Sequence, residues 1–190
     1  LGLIDKLAEG NIPVAIFRQA IAPSDCEAIM QRLIKRELLF DPKQLIPDKF
    51  RKESIPEGHY REGTSDEALK AWETDAQGNQ KLRIDIGSSL GYRGSDREAF
   101  LRHSAESNHL FDGLFEGLVD PIKILYEGLR RIAPNKNVMT AAEPDGRQYG
   151  RAIIRAHYGG YSYAPHFDSV RRREKRTDYQ AYRFEHQFAG

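Results

Sequence analysis

His166 and Asp168 stand two positions apart in HYGGYSYAPHFDSV, residues 157–170. On a strand, side chains at i and i+2 point to the same face, so an imidazole and a carboxylate with this spacing can chelate one metal ion. With a second histidine they form the two-His-one-carboxylate facial arrangement of non-haem Fe(II) oxygenases. Three coordination positions then stay open, enough for a bidentate 2-oxo acid and dioxygen. The spacing alone is a weak signal: six histidines and 28 acidic residues in 190 give about one His-x-acid match by chance. The competing reading is a surface histidine beside a surface aspartate. The neighbourhood adds weight, because an apolar strand, paired glycines, three tyrosines and Pro165 precede the pair.

The elements that would position this motif follow from periodicity. Residues 151–158, RAIIRAHY, predict the strand that leads into it. KLRIDIG predicts a second strand through Leu82, Ile84 and Ile86, ending at glycines, and IPVAIFRQAI, residues 12–21, a third. Pro23 ends that run; Ser24 and Glu27 then have the spacing of a capping box. Cys26, Ile29, Met30 and Leu33 mark one apolar face of the helix that follows, with Cys26 as a small core residue. Residues 95–132 read as helical, with a second box spacing at Ser95 and Glu98. Phe111, Leu114, Phe115, Leu118, Ile122, Leu125, Leu129 and Ile132 recur at steps of three and four, a core stripe and not a cofactor box. Asp120-Pro121 suits a fresh helix start, so two helices or one kinked helix are expected. Residues 134–150 read as a loop. Residues 41–81 are polar and proline-containing without clear periodicity, which predicts a structured loop or a lid over the site, pinned in part by Trp72. RRREKR, residues 171–176, reads as a solvated loop, the alternative being attraction of an anionic substrate; a strand over 179–190 follows.

IIRAHYGGYSYAPHFDSVRRRE resembles the first metal-binding region of the Fe(II)/2-oxoglutarate-dependent dioxygenases, particularly the prolyl-4-hydroxylase-like branch. That branch runs a strand ending in Tyr, then glycines, then Tyr-x-x-His-x-Asp, then a charged loop. The close match covers about twenty residues. The layout from 83 to 168 is also similar to that of small-molecule hydroxylases and halogenases of the superfamily. The resemblance implies an α+β fold, a double-stranded β-helix or jelly roll with helices packed on one sheet. It implies that His166 and Asp168 are iron ligands, that Fe(II) and 2-oxoglutarate are the cofactor and cosubstrate, and that dioxygen hydroxylates an unactivated C–H of a small or amino-acid-like substrate. Tyr158 and Tyr163 are the implied cosubstrate contacts, each with the alternative of an aromatic core residue. Arg155 on the strand meets a carboxylate if it faces inward and is a surface residue if it faces outward. Asp168 stands where the halogenating members have a small residue, which points to hydroxylation. The resemblance also puts a distal histidine and a basic carboxylate clamp on later strands. His186 is read as a surface residue of the next strand, so residues 1–190 are expected to be one oxygenase domain incomplete at its C-terminus. The rival from another class is a non-catalytic, cupin-like β-barrel binding module.

Whole-chain properties bound these readings. Lys plus Arg number 29 against 28 Asp plus Glu, so no basic excess exists to neutralise phosphates, and a general nucleic-acid binder is not expected. No apolar run approaches the roughly 18–20 residues of a membrane span. LGLIDKLAEG has neither the form of a signal peptide nor an initiator Met, so residues are expected ahead of it. Cys26 is the only cysteine, which rules out an internal disulfide and makes the cytoplasm the expected compartment. His59, His103, His109 and His157 lack partner spacing and are read as solvated or structural.

Overall fold

The structure is a computed structural model that describes residues 2–50, 82–88 and 97–158. In chain order these form α1 (Leu3–Ala8), α2 (Pro23–Lys35), a single 3-10 turn (Asp48–Phe50), β1 (Leu82–Gly87), α3 (Arg97–Leu114), α4 (Pro121–Ile132) and β2 (Ile153–Tyr158).

The α3–α4 break falls where the sequence puts it. Gly117 takes φ 75°, and Asp120 caps α4 by accepting from the Ile122 and Lys123 amides at 2.9 and 3.2 Å, with Pro121 in the first turn. Phe111, Leu114, Phe115, Ile122 and Ile132 are buried, as the stripe predicts. Leu125 is not: α4 buries Ile122, Gly128 and Ile132, and Leu125 lies off that line, 41% exposed.

Two expectations near the N-terminus are corrected. Residues 12–21 form no strand; the chain is irregular there, turning at Gln19 with φ 54°. Val14, Ile16 and Phe17 stay exposed, although a methyl group on Gly128 of α4 would touch the Phe17 ring at 3.4 Å. β-propensity expresses a fit to neighbouring strands, and none of the described residues supplies one. The capping box on Ser24 and Glu27 is absent too. Pro23, with its φ preset and no N–H to satisfy, starts the helix one residue earlier, and Ala22 becomes the N-cap. Of the predicted apolar face, Leu33 is buried and Ile29 packs on the core, whereas Cys26 and Met30 are exposed. Only the C-terminal half of α2 reaches the core. There Arg32 donates to the Leu114 and Glu116 carbonyls at 2.9 and 3.1 Å, satisfying oxygens left open at the end of α3.

β1 and β2 pair antiparallel, with Ile84 opposite Ala156, Asp85 opposite Arg155 and Ile86 opposite Ile154. The two-residue period splits this ribbon into two faces. Ile84, Ile86, Ile154 and Ala156 pack on a core of Leu33, Leu39, Phe111, Leu114, Phe115 and Ile122 from α2, the segment after it, α3 and α4. Asp85, Arg155 and His157 alternate onto the other face. The ribbon's open end is tight: Gly87 has φ 115°, and a Cβ there would come within 2.4 Å of the Ala152 carbonyl oxygen. Among the described residues the sheet has these two strands, and the jelly-roll expectation rests on residues outside them. Of the predicted lid, residues 41–50 run between buried Phe40 and buried Phe50, whose rings lie 5.2 Å apart; 51–81, with Trp72, lie outside the described residues. No helix of the described residues is long and apolar enough to cross a membrane.

Candidate functional site

β2 is the strand that precedes the His-x-Asp motif. Its last residue, Tyr158, is eight positions before His166; His166, Asp168 and Tyr163 themselves lie outside the described residues. Two of the predicted site residues, Tyr158 and Arg155, are on β2, on opposite faces of the ribbon.

Tyr158 lies on the side of the core. Its ring stacks on Phe40 with centroids 4.2 Å apart and planes 10° from parallel. Its hydroxyl donates to the Phe40 carbonyl at 2.9 Å and is 3.4 Å from the Phe40 amide, which donates to it. Burial raises the phenol's pKa; the hydrogen bond from the Phe40 backbone amide pulls the other way, and the nearby Asp41 charge reinforces the rise. The residue therefore ties the 38–50 segment to the end of β2. Contact with an oxo acid through this hydroxyl requires those bonds to open.

Arg155 is on the face turned away from the helices. Its Nε is 3.6 Å from Asp85 Oδ1, and the Asp85 side chain is only 10% exposed. This is a cross-strand pair of opposite charge at directly opposed positions, which favours the observed register. His157 shares that face by alternation and is opposite to Tyr158, as expected.

The support of β2 is built largely from polar residues that periodicity does not single out. Asn108, 6% exposed on α3, donates from Nδ2 to the Tyr149 carbonyl at 2.9 Å and accepts the Arg151 amide at Oδ1 at 3.0 Å. The side chain thus imitates a neighbouring strand for the residues just ahead of β2. Tyr126 of α4 donates its hydroxyl to the Arg151 carbonyl at 3.0 Å. Ser104, fully buried, bonds Ser88 after β1 at 3.1 Å. Gly150 passes so close to Ser88 that a Cβ would lie 2.3 Å from its carbonyl oxygen. Ahead of this crossing, the buried Glu143 carboxylate accepts from the Tyr149 hydroxyl and from Arg97 Nη2 at 2.6 Å. That hydrogen bond raises the pKa of the Arg97 guanidinium further. Phe100 packs edge-on to Tyr149, centroids 5.9 Å apart. A buried carboxylate is tolerable here because it is paired and hydrogen-bonded. The sequence signal was present but ambiguous: Ser104, Ser107 and Asn108 interrupt the apolar side of α3, and polar residues on a helix usually face solvent.

Among the described residues, no group of three or more His, Cys, Asp or Glu side chains is placed to hold a metal ion. By donor chemistry the metal candidates remain His166 and Asp168, an imidazole nitrogen and a carboxylate oxygen, which suit Fe(II). No protein-family model, curated protein or solved structure matches the chain.

Proposed function

We propose that this chain belongs to a non-haem Fe(II)- and 2-oxoglutarate-dependent oxygenase that hydroxylates an unactivated C–H bond of a small or amino-acid-like molecule. The supporting observation is the two-faced ribbon directly upstream of the motif. One face of β2 packs on the hydrophobic core to which the helices contribute, and the other carries charged and imidazole side chains. A chelating site needs such a base, since ligands on a rigid strand hold their geometry better than ligands on a free loop.

In this reading His166 binds through a neutral ring nitrogen and Asp168 through its carboxylate. When bound, iron together with 2-oxoglutarate supplies the oxidising power for the C–H bond, with dioxygen consumed and succinate and carbon dioxide released. Arg155, close to Asp85 on the polar face, would bind a ligand carboxylate by exchanging that partner. Tyr163 and Tyr158 are the cosubstrate contacts, Tyr158 only after leaving the Phe40 backbone. That engagement of Tyr158 is also the observation that favours the second reading, a non-catalytic cupin-like barrel.

Succinate release separates the two. The full polypeptide containing these residues, supplied with Fe(II), ascorbate, 2-oxoglutarate and dioxygen, is expected to form succinate, faster with a cognate substrate. Asp168→Ala is expected to abolish the reaction. An Asp168→Ala protein that forms succinate at the wild-type rate rules out the ligand role, and a wild-type protein that forms none favours the binding module.

A further inference from the structure

A groove of about 520 Å³ is lined by residues of α3 and of the 146–151 loop. We propose that it binds a small organic anion, a carboxylate on an apolar body, and that Arg102 is the residue that recognises the charge. The proposal is independent of whether residues 166 and 168 hold a metal.

The floor is Leu101, 2% exposed, with Ala105 and the aliphatic part of the helix beside it. Ala105 leaves the middle of the groove open, while Arg102 and His109 rise on either side of it, three and four positions away on the same helical face. The opposite wall carries Arg147 and Arg151. Both of these are already matched. Arg147 is bound by Asp145, at 2.8 Å from Nε, and by Glu98; Arg151 is bound by Asp112 at 2.8 Å. These pairs fix two guanidinium groups along the groove and neutralise the carboxylates around them.

Arg102 is different. Glu98 and Glu106 lie four positions to either side, the spacing at which a helical arginine ordinarily finds an acid. Glu98 is instead occupied by Arg97, at 3.1 Å, and by Arg147. Among the described residues Arg102 makes no hydrogen bond or ion pair. Its charge is the one in the groove without a counterion, and its fork of N–H donors matches a carboxylate. The groove's volume is within the range of small-molecule sites; Leu101 and Ala105 give it an apolar strip, and of its charged lining residues Glu98, Asp112, Arg147 and Arg151 are ion-paired, which leaves Arg102 as the anchor.

The test uses 2-naphthoate, a fluorescent aromatic carboxylate, titrated into the metal-free chain at low ionic strength, with neutral 2-naphthamide as its partner probe. We expect saturable one-to-one binding of the naphthoate and much weaker binding of the amide. Arg102→Ala, at an exposed position where folding is not at stake, is expected to weaken the naphthoate about tenfold, the loss of one charge-assisted contact. Ala105→Glu is expected to abolish it by placing a carboxylate mid-groove. Arg130→Ala on α4 serves as the unaffected control. Absence of saturable binding, equal binding of acid and amide, or naphthoate binding unchanged in either Arg102→Ala or Ala105→Glu overturns the proposal.

Discussion

Asn108→Ala is the sharpest perturbation of the support beneath β2. The native side chain satisfies a buried carbonyl, that of Tyr149, and the partly buried amide of Arg151, at 2.9 and 3.0 Å. Alanine removes both bonds and leaves both backbone groups without their protein partner. Two neutral hydrogen bonds are worth roughly 1 kcal/mol each, and a stranded buried polar group costs about 1–3 kcal/mol. The bonds and stranded groups overlap as costs, so the expected loss is about 3 kcal/mol. For a chain of this size that lowers Tm by about 6–12 °C. Asn108→Asp extends the argument. It keeps an acceptor for the Arg151 amide but turns a carboxylate oxygen towards the Tyr149 carbonyl, where a donor stood. Protonation restores an O–H donor, so the folded state holds the proton more tightly than the unfolded one. The penalty is therefore full above the raised folded pKa and is relieved as pH falls through it. Urea denaturation of wild type, Asn108→Ala and Asn108→Asp at several pH values measures both effects. An Asn108→Ala protein within about 0.5 kcal/mol of wild type, the range of an ordinary surface substitution, would refute the claim that this amide holds the approach to β2.

Three further outcomes can be checked by the same denaturation assay. Gly150→Ala should destabilise by about 2 kcal/mol or more, because its Cβ would lie 2.3 Å from the Ser88 carbonyl oxygen and two backbones must separate. Asp120→Ala should cost about 1 kcal/mol, the loss of the α4 cap, and Asp120→Asn much less. Tyr158→Phe should cost about 1 kcal/mol by removing the bond to the Phe40 carbonyl. It should also flatten the alkaline limb of stability. The native phenol's pKa is raised above the ordinary 10.0, so its contribution is complete below that pH and is lost as pH rises through the folded value.

The parts of the fold legible in the sequence are those where one local rule has no competitor. Asp120-Pro121 joins a capping carboxylate to a residue that fits the first helical turn, and α4 starts there. The alternation in KLRIDIG and the apolar run in RAIIRAHY become β1 and β2 because each strand finds the other. IPVAIFRQAI has the same propensity but no strand beside it among the described residues, and propensity alone leaves it irregular. Cys26 and Met30 fit a helical apolar face by spacing, yet that face reaches the core only from Ile29 onward to Leu33. The polar support of β2 was illegible for a different reason. Asn108, Tyr149, Glu143 and Arg97 are joined by hydrogen bonds between positions as much as 46 residues apart, and nothing in composition marks a buried polar residue before its partners are known. Within the candidate site, Arg155 resolves from two alternatives to the face away from the helices, opposite Asp85. For Tyr158 the resemblance implied a cosubstrate contact, with an aromatic core residue as the alternative, but the Phe40 backbone it binds is 118 residues away in sequence and could not be foreseen.

The proposed oxygenase requires His166 and Asp168 to bind one iron ion together. Anaerobic titration of Fe(II) into the polypeptide, with 2-oxoglutarate present and the visible charge-transfer absorption of the oxo acid on iron as readout, tests it directly. One equivalent is expected to bind per chain, with a signal abolished by His166→Ala and by Asp168→Ala and no such loss from His157→Ala on the strand before them. An iron signal that survives both ligand substitutions, or a wild-type chain that takes up no iron, would contradict it.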